Sequence, residues 1–384
     1  MLNIPKSEFR KTFINSVKST RIYGIFTDFR IWWETGQLVI QAPILNLISK
    51  SGILSSFYYF ALSRRFDLEH RAVIAGRLLF LNKLREPDAL SNSLLRRNIH
   101  RLEKGLSMRP RRSVFALDFV GRTVDIYCKI ADISFEEPTR EMIWSRDVLQ
   151  AYFDACAHHP EVVPIYARFR AAPSLATCVG KDAFPYIGDL RIPYNRAEVP
   201  NSTIDIDELL ALARRRRSVR WFLPKAPDRN LVDRAIEVGS LSPTACNRLP
   251  YHYKILDDPE LAVKAAKLAG GTGGFAEQIP MIIVVLGNLG AYFHERDRHL
   301  IYIDASLSTM STVLALEAQG LSTCLINWSD VPQREAGMKK LLSLPDHERP
   351  IMLIAVGYAD PIGIIPYSSK KEIDLLRSFN LAGC

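Results

Sequence analysis

Residues 281–286 read Met-Ile-Ile-Val-Val-Leu, with no polar side chain in the run. A strand that faces water on one side alternates apolar and polar residues. A strand that does not alternate needs cover on both faces. The surrounding chain offers that cover in alternation. Asp228 is placed to cap a helix running through Val238, and residues 251–256 read as a strand. Pro259 opens a helix through Ala269, and residues 299–319 read as a long helix of mostly small residues that stops at Gly320. Residues 321–327 and 351–357 read as further strands, with a helix over 333–342 between them. These elements predict a sheet packed by helices on both sides. Periodicity leaves the direction of the strands open, so a doubly wound parallel sheet and a mixed sheet both satisfy it.

Upstream the pattern is helical. Apolar residues at Leu68, Val73, Ile74, Leu78 and Leu81 predict a helix over 67–84, and further helices are expected over 94–106 and 142–157. The apolar segment 41–62 is broken by Lys50, Ser51 and Gly52, and its last part is too short to span a bilayer. It is expected to be a buried helix, with interfacial membrane contact as the alternative and no transmembrane segment. Pro173, Pro185, Pro193 and Pro200 punctuate a stretch without helical period. The expected organisation is a mainly helical domain over 1–175, a linker over 176–203 and a second domain over 204–384. The six cysteines show no zinc-type or disulfide-framework spacing, and no signal peptide follows Met1. A reducing, cytoplasmic setting without a bound metal is the expectation.

Charge is divided unevenly. Residues 1–200 hold 29 Lys/Arg against 20 Asp/Glu, whereas residues 201–384 hold 21 of each, so the whole net charge of +9 belongs to the N-terminal half. Arg97, His100, Arg101 and Lys104 fall on one helix face, with Arg109, Arg111 and Arg112 beyond Gly105. That concentration suggests an anionic ligand; a solvated face with local ion pairs reads equally well.

The C-terminal half carries the clearer chemistry. Residues 214–222 read Arg-Arg-Arg-Arg-Ser-Val-Arg-Trp-Phe and follow an amphipathic helix whose Asp205, Asp207 and Glu208 suit an N-terminus. If the helix ends near Ser218, guanidinium forks and a hydroxyl converge where the chain turns extended. This is apt chemistry for a phosphate, although a solvated basic helix end would look the same. Nucleic-acid binding is disfavoured, because no aromatics interleave the arginines and no reading motif is present. Residues 270–274, Gly-Gly-Thr-Gly-Gly, lack both the dinucleotide-binding order and the lysine of a P-loop.

About twenty-five residues after the arginines comes Ser242-Pro243-Thr244-Ala245-Cys246-Asn247-Arg248-Leu249-Pro250-Tyr251. Arg-Arg-Ser-Val-Arg-x-Phe followed by this segment, then Gly357 and Ser369-Lys370-Lys371, resembles the FMN-dependent nitroreductase family over residues 204–384. The resemblance implies an α+β fold: a mixed sheet flanked by helices, with FMN at the interface of a homodimer, here behind a helical N-terminal extension. It implies that Arg216, Arg217 and Ser218 hold the FMN phosphate and ribityl chain and that Arg220 is the basic residue at the ring. Asn247 would bond the ring edge from a turn shaped by Pro243 and Thr244. Lys370 or Lys371 would close on the phosphate, and the glycine loop at 271–275 would lie near the flavin. The implied activity carries electrons from NAD(P)H through FMN to a small organic acceptor such as a nitroaromatic or a quinone, without a catalytic acid, base or nucleophile from a side chain. Leu249 departs from the family, where a polar residue, often Gln, is usual. The alternative is a binding protein without redox function, whose basic N-terminal half engages an anionic ligand or polymer. Similar extensions occur on nitroreductase-like proteins associated with cell-surface polysaccharide synthesis.

Overall fold

The computed structural model describes residues 42–86, 91–175 and 191–380. The chain forms two compact units that divide between Asp67 and Leu68. In the described part of the first unit, residues 42–49 are helical. A short helix Gly52–Phe57, capped by Ser51, runs into a π-helical turn Tyr58–Ser63. The sequence predicts a buried helix here, but Ile53, Phe60 and Leu62 are exposed. Apolar content shows what a segment would gain from cover; it does not supply that cover. Much of the expected linker, residues 176–190, lies outside the described residues.

The second unit has a helical part and a sheet part. The helical part consists of α1 (Asp67–Arg85), α2 (Ser93–Leu106), α3 (Val120–Ser134), α4 (Arg140–Cys156) and α5 (Val163–Arg170). Asn92 caps α2 through the amides of Leu94 and Leu95, and Thr139 caps α4. Leu95, Ile99 and Leu102 fall at helical spacing on the inner face of α2 and pack with Val124, Leu149, Tyr152 and Phe153.

The sheet part begins with α6 (Ile206–Arg215), capped by Asp205, and α7 (Arg229–Ser240), capped by Asp228. It continues through β1 (Tyr251–Leu256), α8 (Pro259–Leu268), β2 (Met281–Asn288), α9 (Leu300–Ala318), β3 (Ser322–Asn327), α10 (Pro332–Leu342) and β4 (Glu348–Gly357). The four strands lie in the order β1-β2-β4-β3 and pair antiparallel throughout. This excludes the doubly wound alternative. Among the described residues the parallel share of a mixed sheet is a single bridge between Ser218 and Thr323.

The apolar run in β2 is covered on both faces, as its composition demands. Ile282, Val284 and Leu286 pack with Ala262 and Ala266 of α8 and Met338 of α10. Met281, Ile283 and Val285 pack with Ile301, Ala305 and Val313 of α9 and Val232 of α7. The stretch Glu295–Ala318 is long and apolar enough to cross a membrane, but its buried face lies against the sheet, as in a core helix of a folded domain.

Helix α1 joins both cores. Ala72 belongs to the cluster around β2, while Phe80 and Leu84 pack against the helical cluster. Gly76 permits this closeness: a Cβ there would stand 2.7 Å from the backbone of Leu289. Any side chain at position 76 would push α1 off the turn after β2.

Two histidines at the β1/β4 end titrate below their ordinary range. Burial lowers His252 against the opposing pull of Glu348, 3.6 Å away, and burial lowers His347. Both therefore favour the neutral form in the folded chain, while the unfolded chain takes up protons near pH 6.5. Stability contributed this way is present above pH 6.5 and is lost as pH falls below it. Urea midpoints are expected to fall between pH 7.5 and 5.5, and His347→Gln is expected to flatten that dependence. An unchanged slope in the variant would remove His347 from the account.

Candidate functional site

Helix α6 ends earlier than the sequence suggests. Arg215 is its last residue and its side chain pairs with the buried Glu317 of α9 at 2.9 Å. Arg216 takes extended geometry as the C-cap, and the chain then runs along the sheet. Val219 N–H donates to Thr323 O at 3.0 Å, Leu223 N–H donates to Tyr358 O at 2.8 Å, and Phe222 bridges Ala359. These bonds fix Arg216, Arg217, Ser218 and Arg220, all half-buried, over the start of β3 and the end of β4.

Among the described residues, none of Arg216, Arg217 and Arg220 forms an ion pair with a carboxylate. Burial pushes the Cys324 thiol up; the nearby Arg220 charge, a Ser218 hydrogen bond and Arg216 pull it back, so these groups surround one point. Thr323 Oγ1, across the bridge from Ser218, is buried and makes no hydrogen bond. Three uncompensated guanidiniums, two hydroxyls and no acid form a donor set suited to a phosphate, and the implied FMN phosphate fits it. Sequence reasoning missed Thr323 and Cys324, which carry no motif and enter only through strand pairing. It also missed Gln278, whose amide donates to Arg220 O at 3.2 Å.

The glycine loop does reach this site. Gly271 and Gly274 adopt positive φ, Thr272 caps the turn by donating to Ala266 O, and Phe275 lies 5.9 Å under the Arg220 guanidinium. Lys370 and Lys371 lie on the exposed C-terminal segment.

The second motif sits elsewhere. Pro243, Thr244 and Asn247 lie on the loop before β1, and Pro250 O accepts from Asn288 N at the far end of β2. Met281, at the Arg216 end, and Gly287, at the loop end, are about 20 Å apart at the usual rise of ~3.4 Å per residue. One chain therefore does not bring Arg216–Arg220 and Asn247 together.

The loop itself is tightly specified. Cys246, Asn247 and Leu249 all have positive φ, a strained state for residues with a Cβ. The bonds that hold it include Leu249 N–H to Thr244 Oγ1, Asn247 N–H to Thr244 O at 3.0 Å, Ala245 N–H to Asp304 Oδ2 at 3.0 Å, and Arg96 Nε to Asn247 O at 2.7 Å. Tyr292 also donates to Asp304, whose carboxyl burial pushes up. Arg96 comes from α2 and is itself paired with Glu141 of α4 at 3.0 Å. Its role was invisible in the sequence, where it reads as one more basic residue of a helix.

The expected basic face of α2 divides. Arg101 lies 3.7 Å over the Phe119 ring and reaches Asp118, and His100 faces Glu103 at 3.5 Å. Lys104 is exposed, and only Arg97 turns to a cavity beside the 244–249 loop. The four do not form one anion site.

A family model, the nitroreductase family, matches residues 213–273 and 260–358. A Methanothermobacter thermautotrophicus protein, named as a candidate NADH dehydrogenase/NAD(P)H nitroreductase, is 22% identical over 151 residues, 39% of this chain and 77% of that protein. Iodotyrosine deiodinase 1 of Homo sapiens is 20% identical over 213 residues, 48% of this chain and 73% of its own. Among solved structures, an FMN-dependent nitroreductase of Clostridium difficile is 19% identical with a TM-score of 0.39, covering 44% of this chain and 98% of that one. All of these matches leave more than half of this chain uncovered.

Proposed function

Residues 213–358 are a nitroreductase-family region, and from that premise we propose that the protein is an FMN-dependent oxidoreductase that passes electrons from NAD(P)H to a small organic acceptor. The family match supports an oxidoreductase. The observation that carries the flavin reading is the set of uncompensated guanidiniums at Arg216, Arg217 and Arg220, beside Ser218 and the unbonded hydroxyl of Thr323. FMN, when bound, supplies the electron transfer between donor and acceptor. The chain's own part is to hold and orient. Arg216 and Arg217 present charged forks for a phosphate, Ser218 presents a hydroxyl, and the strand bonds at Val219 and Leu223 fix their direction. NAD(P)H as donor rests on the names of distant relatives, and a deiodinase relative keeps a halogenated aromatic acceptor within the proposal. A cytoplasmic location belongs to the same reading.

The separation of the two motifs along β2 argues for a homodimer, in which Asn247 of a second copy completes the site begun by Arg216. An apolar groove on α9, with Ile303, Leu307 and Met310 exposed by 42–48%, is a surface for that copy. Light scattering is expected to give twice the chain mass of 43.5 kDa with flavin bound. A flavin-loaded monomer would defeat this part of the proposal.

Purified protein is expected to be yellow. Arg216→Ala is expected to weaken FMN retention by about 1.5–3 kcal/mol, the worth of a hydrogen bond to a charged group. Normal flavin content in that variant would remove Arg216 from the site.

A further inference from the structure

A cavity of about 420 Å³ lies between the helical part and the 244–249 loop, within the second unit. That size suits a small organic molecule. Phe80, Leu84 and Phe293 give it apolar walls, and Arg97, Arg122 and Arg248 line it with positive charge. Among the described residues none of these three arginines has an ion-pair partner; Asp297, which also lines the cavity, pairs with Arg296 at 3.6 Å. The Arg248 guanidinium is the most constrained. It lies 4.6 Å over the Tyr292 ring, one terminal nitrogen donates to Ala291 O, and its Nε is buried with no acceptor. Burial lowers its basicity, and the neighbouring Arg97 charge lowers it further against the opposing pull of Tyr292, Cys246 and Asp297. Like charges gathered at a partly enclosed site cost free energy unless an anion compensates them.

We propose that this cavity binds a small organic anion, with a carboxylate or phosphate head on Arg97, Arg122 and Arg248 and an apolar body against Phe80, Leu84 and Phe293. Ala245, Cys246 and Arg248 all line the cavity, so the occupant touches the loop on either side of Asn247 in sequence. Its walls do not include Arg216–Arg220, although two of them, Cys246 and Arg248, are the sequence neighbours of Asn247.

The test uses the full-length protein at low salt, titrated calorimetrically with benzoate, phenyl phosphate and uncharged benzyl alcohol. At least one anion is expected to bind saturably and the alcohol not; the stronger anion identifies the preferred head group. That anion is expected to protect Cys246 from iodoacetamide, read by peptide mass mapping. Arg97→Gln and Arg122→Gln are each expected to weaken binding tenfold or more, with Arg122→Lys recovering most of it. Arg122 is exposed, so its variants leave the core intact. Flavin absorbance recorded on the same samples keeps the two readings apart. The proposal is overturned if neither anion binds saturably, if both glutamine variants bind like the parent, or if Cys246 stays fully reactive with anion present.

Discussion

Arg349→Ala is expected to cost about 3–5 kcal/mol, the usual penalty for leaving one partner of a buried ion pair alone. Arg349 is 2% exposed at the start of β4. Its Nε meets Glu335 at 2.6 Å and a terminal nitrogen meets Asp330 at 2.9 Å. Glu335, itself buried, also accepts from Trp328 Nε1 at 2.9 Å. Removing the arginine strands a carboxylate that water does not reach, whereas Asp330 is half-exposed and stays solvated. The double variant Arg349→Met with Glu335→Gln is expected to recover most of the loss, since the amide still accepts from Trp328 and no charge remains buried. Urea unfolding of Arg349→Met, Glu335→Gln and the double variant closes the cycle. A double variant no more stable than Arg349→Ala would show that packing, rather than charge, sets the cost.

Phe153→Ala is expected to destabilise by a comparable 3–5 kcal/mol, in the range for truncating a buried aromatic. Phe153 is fully buried in α4, stacked on Tyr166 at 4.7 Å and packed on Tyr152 and Phe169. Because α1 contributes to both cores, the loss is expected to lower the single unfolding midpoint of the second unit, sheet signal included. Two separate transitions, with the sheet unmoved, would mean that the helical part melts alone and that α1 does not couple the cores. Phe153→Leu, which keeps most of the volume, is expected to cost much less.

The elements were legible in this chain because their signals are local. Asp205, Asp228 and Pro259 start helices where capping chemistry says they should, and the unbroken apolar run of β2 declares its double cover. The antiparallel order was not legible, since pairing is a long-range choice that leaves no trace in the period of a single strand. The arginine cluster was visible because Arg216, Arg217, Ser218 and Arg220 are neighbours in sequence. Thr323, Cys324 and Gln278 join them only through the fold. Charge counting located the basic surplus in the N-terminal half, but helical spacing did not separate Arg97, which faces the cavity, from Arg101, which is spent on Phe119 and Asp118. The direction of a long side chain depends on what stands opposite, and that is set by packing.

The Arg96–Asn247 hydrogen bond spans 151 residues of sequence. The strained loop at 246–249 completes its hydrogen bonds only when α2 is docked against it. Such long-range closure is entropically costly and slow. During synthesis α2 is made first, so a helical template waits for the loop as it leaves the ribosome. A circularly permuted chain that opens between the two parts and makes the loop first would reverse that sequence and leave the unsupported turn free to sample right-handed alternatives.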